Sequence, residues 1–207
     1  MTAPMKNPPW DQRIARVLVR PLVRTPVTPN QITVITLIVA LAGAGLLAQG
    51  DSTAADWGAG LFVLARFLDH FDGELARQKN MKSRLGYYLD YVSGGASYAA
   101  LFFGIGWGLK SGALGPWAVV LGGIGAAVAI ASMFFNLGID KAAKLEDGAA
   151  TGYPGVAGFE LEDGIYLLAP ITWLGWIEPF FVLCGLGASV YTLWTLYILI
   201  RLRRRAP

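Results

Sequence analysis

The chain has 207 residues, of which 55% are hydrophobic and only 15% charged, a composition too apolar for an ordinary soluble domain. The net charge of +3 is carried by basic residues in terminal and connecting segments, which favours attraction to anionic lipid and argues against a nucleic-acid partner. The single cysteine, Cys184, excludes an intrachain disulfide and a thiolate metal cluster.

The N-terminal segment, residues 1–29, mixes arginines with prolines and lacks the apolar run of a cleavable signal peptide. Within it, residues 10–23 predict an amphipathic helix that lies on a membrane surface or caps the bundle, or does both. Its apolar side chains fall near one face, and these are Trp10, Ile14, Val17, Leu18 and Leu22.

Six hydrophobic stretches follow, each long enough to span a bilayer at ~20 residues per helix. They cover residues 30–49, 55–76, 87–109, 116–137, 160–177 and 179–200. The expected fold is therefore an all-α integral membrane bundle of six transmembrane helices, preceded by the interfacial amphipathic helix. One domain fills 1–207, comprising a juxtamembrane segment (1–29), the bundle (30–200) and a basic tail (201–207).

The distribution of Lys and Arg predicts the orientation in the membrane. All of them except Arg66 and Lys110 fall in the N-terminal segment, in the loops after the second and fourth stretches, or in the tail. By the positive-inside rule, both termini and these two loops belong on the cytoplasmic side of the inner (plasma) membrane.

The first spanning helix has a recognisable start at residues 26–33, PVTPNQIT. Pro29 suits a first helical turn, and Thr28 or Asn30 can cap the free N–H groups there. For Asn30 a direct role as a ligand is the alternative.

Between Asp69 and Gly94 the chain reads DHFDGELARQKNMKSRLGYYLDYVSG. Acidic side chains at membrane depth are costly and are usually kept for a function. Asp69 and Asp72 are three residues apart and share a helix face, while Asp90 lies on the next hydrophobic stretch. Carboxylates from two neighbouring helices predict a site for a hard cation such as Mg²⁺ with a phosphate ligand.

Written as spacings, the segment closely resembles the signature of the CDP-alcohol phosphotransferase family, D-x2-D-G-x2-A-R-x8-G-x3-D-x3-D. The matching positions are Asp69, Asp72, Gly73, Ala76, Arg77, Gly86 and Asp90. One position departs from the signature, because Gly94 stands where the family has its fourth aspartate. The hydropathy of the whole chain and the TPNQIT start are also similar to that family.

The resemblance implies a membrane enzyme of phospholipid biosynthesis. Such an enzyme transfers a phosphatidyl group from a CDP-linked donor, usually CDP-diacylglycerol, to an alcohol or phosphorylated alcohol and releases CMP. Asp69, Asp72 and Asp90 would bind Mg²⁺ or Mn²⁺, with two ions expected, to neutralise the diphosphate. Relatives form homodimers, and the small residues of this chain allow the same.

The resemblance also implies a nucleotide site, made of Asp69, Gly73, Ala76, Arg77 and Gly86. Gly73 and Ala76 are small enough for a nucleotide to lie against the helix backbone, and Gly86 permits a close approach of helices. Arg77 could pair with a phosphate, anchor the motif's carboxylates, or serve only as a cytoplasmic topology charge.

Four other polar residues surround the motif. Arg66, one turn before Asp69, is expected to form an internal ion pair with an acid of the site. His70 is expected to be packed rather than a metal ligand or base. Lys82 and Arg84 are candidates for binding an acceptor phosphate, with an ordinary basic loop as the equal alternative.

The glycine at position 94 leaves the general base open, because the family's fourth aspartate is the candidate base. A substitute could come from Glu160, Glu162 or Asp163, which otherwise form a charge cluster at a helix start. The acceptor could also need no base, or the chain could bind a CDP-lipid or nucleotide without turnover. A small transporter is the remaining rival, but it does not explain the Gly73 and Ala76-Arg77 spacing.

Overall fold

The computed structural model describes residues 9–143, 155–156 and 159–205, and the side chains of 155–162 and of Arg205 lie outside that description. The fold is all-α except for one antiparallel pairing of two-residue strands, β1 (Gly155–Val156) and β2 (Phe159–Glu160). The α-helices of the described residues are α1 (Trp10–Leu18), α2 (Pro29–Leu47), α3 (Ser52–Lys79), α4 (Arg84–Gly108), α5 (Pro116–Ala143), α6 (Leu168–Trp173) and α7 (Ile177–Arg205).

Helix α1 packs against α3, so the predicted cap on the bundle is present. Its buried residues Asp11 and Ala15 and the buried Val19 that follows its last turn are spaced four apart, which places them on one face. The apolar stripe predicted from the sequence points elsewhere, since Ile14 and Val17 are about half exposed at 44% and 54%. An exposed apolar stripe on a docked helix is compatible with a membrane surface beneath it.

The start of α2 follows the predicted capping chemistry, with Thr28 as the cap. The Thr28 hydroxyl accepts the Gln31 N–H at 3.3 Å, and the Gln31 side chain accepts the Thr28 N–H at 2.9 Å. With Pro29 in the first turn, this reciprocal pair fixes where α2 begins.

Helices α2 and α3 approach each other through glycine. A Cβ placed on Gly43 would lie 2.7 Å from the Gly58 carbonyl oxygen, and one on Gly58 would lie 2.7 Å from that of Gly43. Such backbone contact is how small residues let membrane helices pack without a large side-chain interface. It also sets the position of α3, which carries the first two aspartates of the motif.

The main core lies where α2, α3, α4, α6 and α7 meet. Its buried members include Phe62, Leu101, Phe102, Leu168 and Phe181. A second, smaller core joins the N-terminal segment to α2 and α3, with Val19, Ile32 and Leu75 at its centre. This second core lies beside the acidic motif and holds α1 in place.

Three helices of the described residues, α2, α5 and α7, are long and apolar enough to cross a membrane. Helices α3 and α4 have 28 and 25 residues, enough for the length, but α3 carries Arg66, Asp69 and Asp72 in its C-terminal half and α4 is rich in glycine, serine and tyrosine. These charged residues of α3 lie at the acidic motif, whereas Gly104, Gly106 and Gly108 of α4 face the backbones of α2 and α5 and their connections.

The stretch predicted as one spanning helix at 160–177 differs in the structure. It consists of a 3₁₀ helix, Leu161–Leu167, followed by the six-residue α6 and a turn in which Gly175 has a φ of 77°. Together the two pieces are about 23 Å long, less than the ~30 Å hydrocarbon core. The apolar content of this stretch predicted one α-helix, but the hydrophobic periodicity did not reveal that residues 161–167 form a 3₁₀ helix.

Candidate metal centre

The three predicted carboxylates converge in the structure. Asp69 and Asp72 lie on one face of α3, and Asp90 lies in the second turn of α4. Each side chain offers an oxygen, and these three oxygens lie within 4.8 Å of one another. Asp72 is buried, Asp69 is half-buried and Asp90 is exposed, so the group opens on the α4 side.

The buried carboxylate of Asp72 is held by α2. The Thr33 hydroxyl donates to Asp72 Oδ2 at 2.5 Å, and both side chains are buried. Thr33 is one turn inside the capped start of α2, so the capping pair at Thr28 also sets the position of this donor. The sequence did not predict this role for Thr33, although the residue belongs to the TPNQIT segment at the start of α2.

The predicted ion pair of Arg66 is present. Arg66 Nη1 donates to Asp69 Oδ2 at 2.8 Å, three residues further along α3. The guanidinium is buried and lies over the Tyr98 ring of α4, 5.2 Å from its centroid. Arg66 therefore fixes the carboxylate of Asp69 and connects α3 to α4.

The motif residues Gly73, Ala76 and Gly86 are each half-buried and small. A Cβ on Gly86 would lie 3.0 Å from Asn30 Oδ1, so glycine at this point lets α4 lie close against the start of α2. The Asn30 side chain thus fills space beside the motif, while the cap itself is Thr28.

At Gly94 the space beside the backbone is open. A Cβ built there would meet no heavy atom within 4 Å, in contrast to the crowded Gly86. Gly94 is one turn after Asp90 on α4, so a side chain at 94 would stand on the same face as that ligand. Packing therefore does not require glycine here.

His70, between two of the ligands in sequence, is paired rather than directed at a metal. Its Nε2 donates to Asp11 Oδ2 of α1 at 2.8 Å, and the same oxygen accepts the Tyr166 hydroxyl at 3.0 Å. Burial alone would raise the pKa of Asp11, but the hydrogen bond and charge of His70, with hydrogen bonds from Gln12 and Tyr166, hold that pKa below its ordinary value. These contacts join α1, α3 and the 3₁₀ helix Leu161–Leu167 next to the carboxylates.

Arg77 makes a contact that the sequence did not predict. Its Nη2 donates to Glu74 Oε1 at 3.0 Å, and Glu74 Oε2 lies 3.5 Å from Nε of Arg16 on α1. The guanidinium of Arg77 also lies beside Gly73, 3.6 Å from where a Cβ would be. Arg77 is thus paired with the buried Glu74, which also pairs with Arg16 of α1.

The remaining predicted residues lie at the edge of the site or outside the described side chains. Lys82 and Arg84 are exposed in the α3–α4 connection and the first turn of α4. Asp163 is half-buried in the 3₁₀ helix, three residues before Tyr166. The side chains of Glu160 and Glu162 lie outside the described residues.

A further buried acid, which the sequence analysis did not single out, holds α4 against α5. Asp140 of α5 is fully buried and its Oδ2 accepts the hydroxyls of Tyr87 at 2.9 Å and Tyr91 at 2.5 Å. These tyrosines flank Asp90 in the sequence, so Asp140 anchors the helix that presents the third carboxylate.

The chemistry of the donors fits a divalent cation of the Mg²⁺ or Mn²⁺ type. Such hard cations prefer carboxylate oxygens, and three of them meet here. Three carboxylates at this spacing repel one another, and the Arg66 charge pairs with Asp69. A bound cation would offset the negative charge that remains.

Apolar helices around a cluster of three aspartates define a membrane protein with an acidic site at one end of its bundle. The sequence profile of CDP-alcohol phosphatidyltransferases matches residues 26–177, which include α2 to α6 and the whole cluster. The chain belongs to the CDP-alcohol phosphatidyltransferase family, a family of membrane transferases in phospholipid biosynthesis.

Solved structures of the phosphatidylinositol phosphate synthase of Mycobacterium tuberculosis share this fold. The form with CDP-DAG bound is 22% identical, with a TM-score of 0.61 over 93% of this chain and 92% of that one. The form with manganese and citrate is 20% identical, with a TM-score of 0.64 over 89% and 88%. Among curated protein sequences, none matches this chain significantly.

Proposed function

We propose that this protein is a metal-dependent CDP-alcohol phosphotransferase. It would transfer a phosphatidyl group from a CDP-linked donor such as CDP-diacylglycerol to an alcohol acceptor, with CMP as the leaving group. The observation that carries the proposal is the meeting of three signature carboxylates within 4.8 Å, in a chain of this family. The manganese and CDP-DAG complexes of the mycobacterial synthase support the same chemistry by analogy.

Asp69, Asp72 and Asp90 would hold the metal, Mg²⁺ or Mn²⁺, with two ions expected. Bound there, the ions would neutralise the donor diphosphate and stabilise the departing CMP. The protein's own contribution is to keep the carboxylates oriented, Asp72 through Thr33 and Asp69 through Arg66. Fixed ligands need little rearrangement when the donor arrives.

The nucleotide would lie against α3 beside the carboxylates. Gly73 and Ala76 present little side chain, and Gly86 brings α4 close without filling the space between the helices. In this proposal Arg77 acts indirectly, because its guanidinium pairs with Glu74. Lys82 and Arg84, exposed at the rim, remain candidates for the phosphate of a phosphorylated acceptor.

In the transfer step the acceptor hydroxyl oxygen would form a bond to the phosphorus that bears the lipid, and the bond from that phosphorus to the CMP oxygen would break. The hydroxyl proton needs a base, and Gly94 cannot supply one. We assign the base to the acidic group Glu160, Glu162 and Asp163. The hydrogen bond from Tyr166 to Asp11, itself bonded to His70, brings the 161–167 turn to the motif.

The membrane arrangement of the proposal is six membrane segments, of which the one at 161–173 is shorter than the others, with both termini and the metal centre on the cytoplasmic side. The arginine-rich N-terminal segment and the C-terminal end of α7 support this orientation. Helix α1 would lie at the membrane surface with its exposed apolar stripe toward lipid. A homodimer is compatible with this arrangement.

The alternative function is a binding protein that keeps the CDP-lipid site without turnover, and the open space at Gly94 is the observation that favours it. The experiment is CMP release from CDP-diacylglycerol by the purified protein, with Mg²⁺ or Mn²⁺ and a panel of acceptors including glycerol phosphate, inositol phosphate, serine and choline. The proposal expects metal-dependent release with at least one acceptor. Metal-dependent donor binding without CMP release for any acceptor would establish the binding protein instead.

A further inference from the structure

An open cleft of about 330 Å³ lies between α1 and the C-terminal part of α3. Its lining residues are Arg16, Arg20, Glu74, Arg77 and Gln78, and none of the three carboxylates of the metal centre is among them. The cleft therefore lies beside the metal centre and is separate from it.

The cleft has an excess of positive charge. Three arginines line it against one glutamate, which leaves a net charge of +2. Glu74 is buried and uses its two oxygens on two different arginines, Arg77 at 3.0 Å and Arg16 at 3.5 Å. Within the described part of the chain, Arg20 has no carboxylate at ion-pair distance.

Two of the three cationic groups are held in place before any ligand arrives. Glu74 fixes two guanidiniums side by side, and Gln78 Nε2 donates to the Arg16 carbonyl oxygen at 3.0 Å. The backbone that carries Arg16 and Arg20 is anchored by Val19, which is fully buried. The folded chain therefore keeps the charges of Arg16 and Arg77 close together on Glu74, with the Arg20 backbone beside them.

We propose that this cleft is an anion site that takes a phosphate group, distinct from the metal centre. Guanidinium groups present forked donors that match phosphate oxygens, and the charge of such a group would offset the excess of +2. The phosphate belongs either to the headgroup of an anionic phospholipid or to a soluble phosphate compound. The site does not depend on the proposed catalytic activity.

The test uses the full chain in detergent with EDTA, so that no metal links the anion to the carboxylates. Thermal unfolding is followed against inorganic phosphate in one arm, with chloride at matched ionic strength as the reference. The other arm uses dihexanoyl phosphatidylglycerol below its micelle concentration, with dihexanoyl phosphatidylcholine as the reference. Arg20→Gln is the test variant, and its matched control is Arg24→Gln, an exposed arginine at the other end of the same 3₁₀ helix, Arg20–Arg24.

The expected result is saturable stabilisation of the wild-type protein, with binding about tenfold weaker in Arg20→Gln and unchanged in Arg24→Gln. A response to phosphate alone assigns the site to soluble phosphate compounds, and a response to phosphatidylglycerol alone assigns it to the lipid headgroup. The response should survive in Asp69→Asn, which separates this site from the proposed catalysis. No stabilisation in either arm, equal losses in the two arginine variants, or loss in Asp69→Asn would overturn the proposal.

Discussion

The two helices that form the candidate metal centre present their carboxylates in different ways. On α3, Asp72 is buried and bonded to Thr33, and Asp69 is paired with the buried Arg66. On α4, Asp90 is exposed, and one turn later the space beside Gly94 is open.

This difference assigns separate tasks to the two helices. On α3 the buried partners fix the orientation of both carboxylates. The exposed side on α4 gives a small water-soluble molecule room to approach. The glycine at position 94 therefore changes the exposed α4 side of the site and leaves the two α3 carboxylates in place.

The largest expected effect is the loss of an α3 ligand. Asp72→Asn keeps the size of the side chain but removes the charge that a divalent cation needs, so metal-dependent CMP release should fall to background. Asp56→Asn, on the same helix but outside the cluster, is the control and should keep full activity. Full activity in Asp72→Asn would show that α3 does not hold the metal.

The acids before α6 should give the next largest effect. Replacing Glu160, Glu162 and Asp163 one at a time by their amides should produce one loss of about 10²–10⁴-fold in kcat, the range expected for a missing general base. Metal affinity should not change in that variant. Three silent substitutions would exclude this segment as the source of the base.

Position 94 allows a rescue experiment on the other helix. Because a side chain fits there without contact, Gly94→Asp should fold normally and place a carboxylate one turn after Asp90. In the most damaged variant of the previous experiment it should restore kcat by about 10²-fold. Gly94→Asn has the same size without a base, and equal rescue by both would contradict a role in proton removal.

A milder change on the α3 side of the site removes the hydrogen bond that holds Asp72. Thr33→Val removes the hydroxyl bonded to Asp72 with little change in shape and should lower metal affinity by about 10–100-fold. Thr36→Val is a matched control, since Thr36 is also buried on α2 and its hydroxyl has no hydrogen-bond partner among the described residues. Equal metal affinities for the two variants in a metal titration would show that the Thr33 hydroxyl does not support metal binding.

Much of the site could be predicted from the sequence because its signals are local. The spacing of Asp69 and Asp72, the pairing of Arg66 one turn away and the cap at Thr28 each depend on helix geometry alone. The contacts of Thr33, Asp11 and Asp140 join residues 39 or more positions apart, and no periodicity encodes such pairs.

The fold shows the same limit. Hydropathy located the long helices, but it could not distinguish a continuous helix from the 3₁₀ and α pieces at 161–173. The stripe on α1 was recognised, yet the face that packs contains Asp11 and Ala15, because an ion pair with His70 and a small side chain decide the docking. Local apolar patterns do not contain that information.

The smallest expected effect concerns the contact between α1 and the motif. Since the pKa of Asp11 is lowered in the folded protein, its ionised form adds stability above the ordinary value near 3.8, and this stability is lost as the pH falls through the lowered pKa. The difference in unfolding temperature between wild type and Asp11→Asn should be largest near pH 5 and shrink toward pH 3. A difference that grows in acid would contradict the assigned ion pair.

Binding of Mn²⁺ followed by electron paramagnetic resonance tests the central claim most directly, because it needs neither donor nor acceptor. Titration of the wild-type protein should deplete the signal of free Mn²⁺ in a saturable way, and Asp69→Asn and Asp72→Asn should abolish this depletion while Gly94→Asp retains it. A free Mn²⁺ signal that the wild-type protein leaves undiminished, or that both asparagine variants deplete as well as wild type, would contradict a metal centre built from the aspartates of α3 and α4.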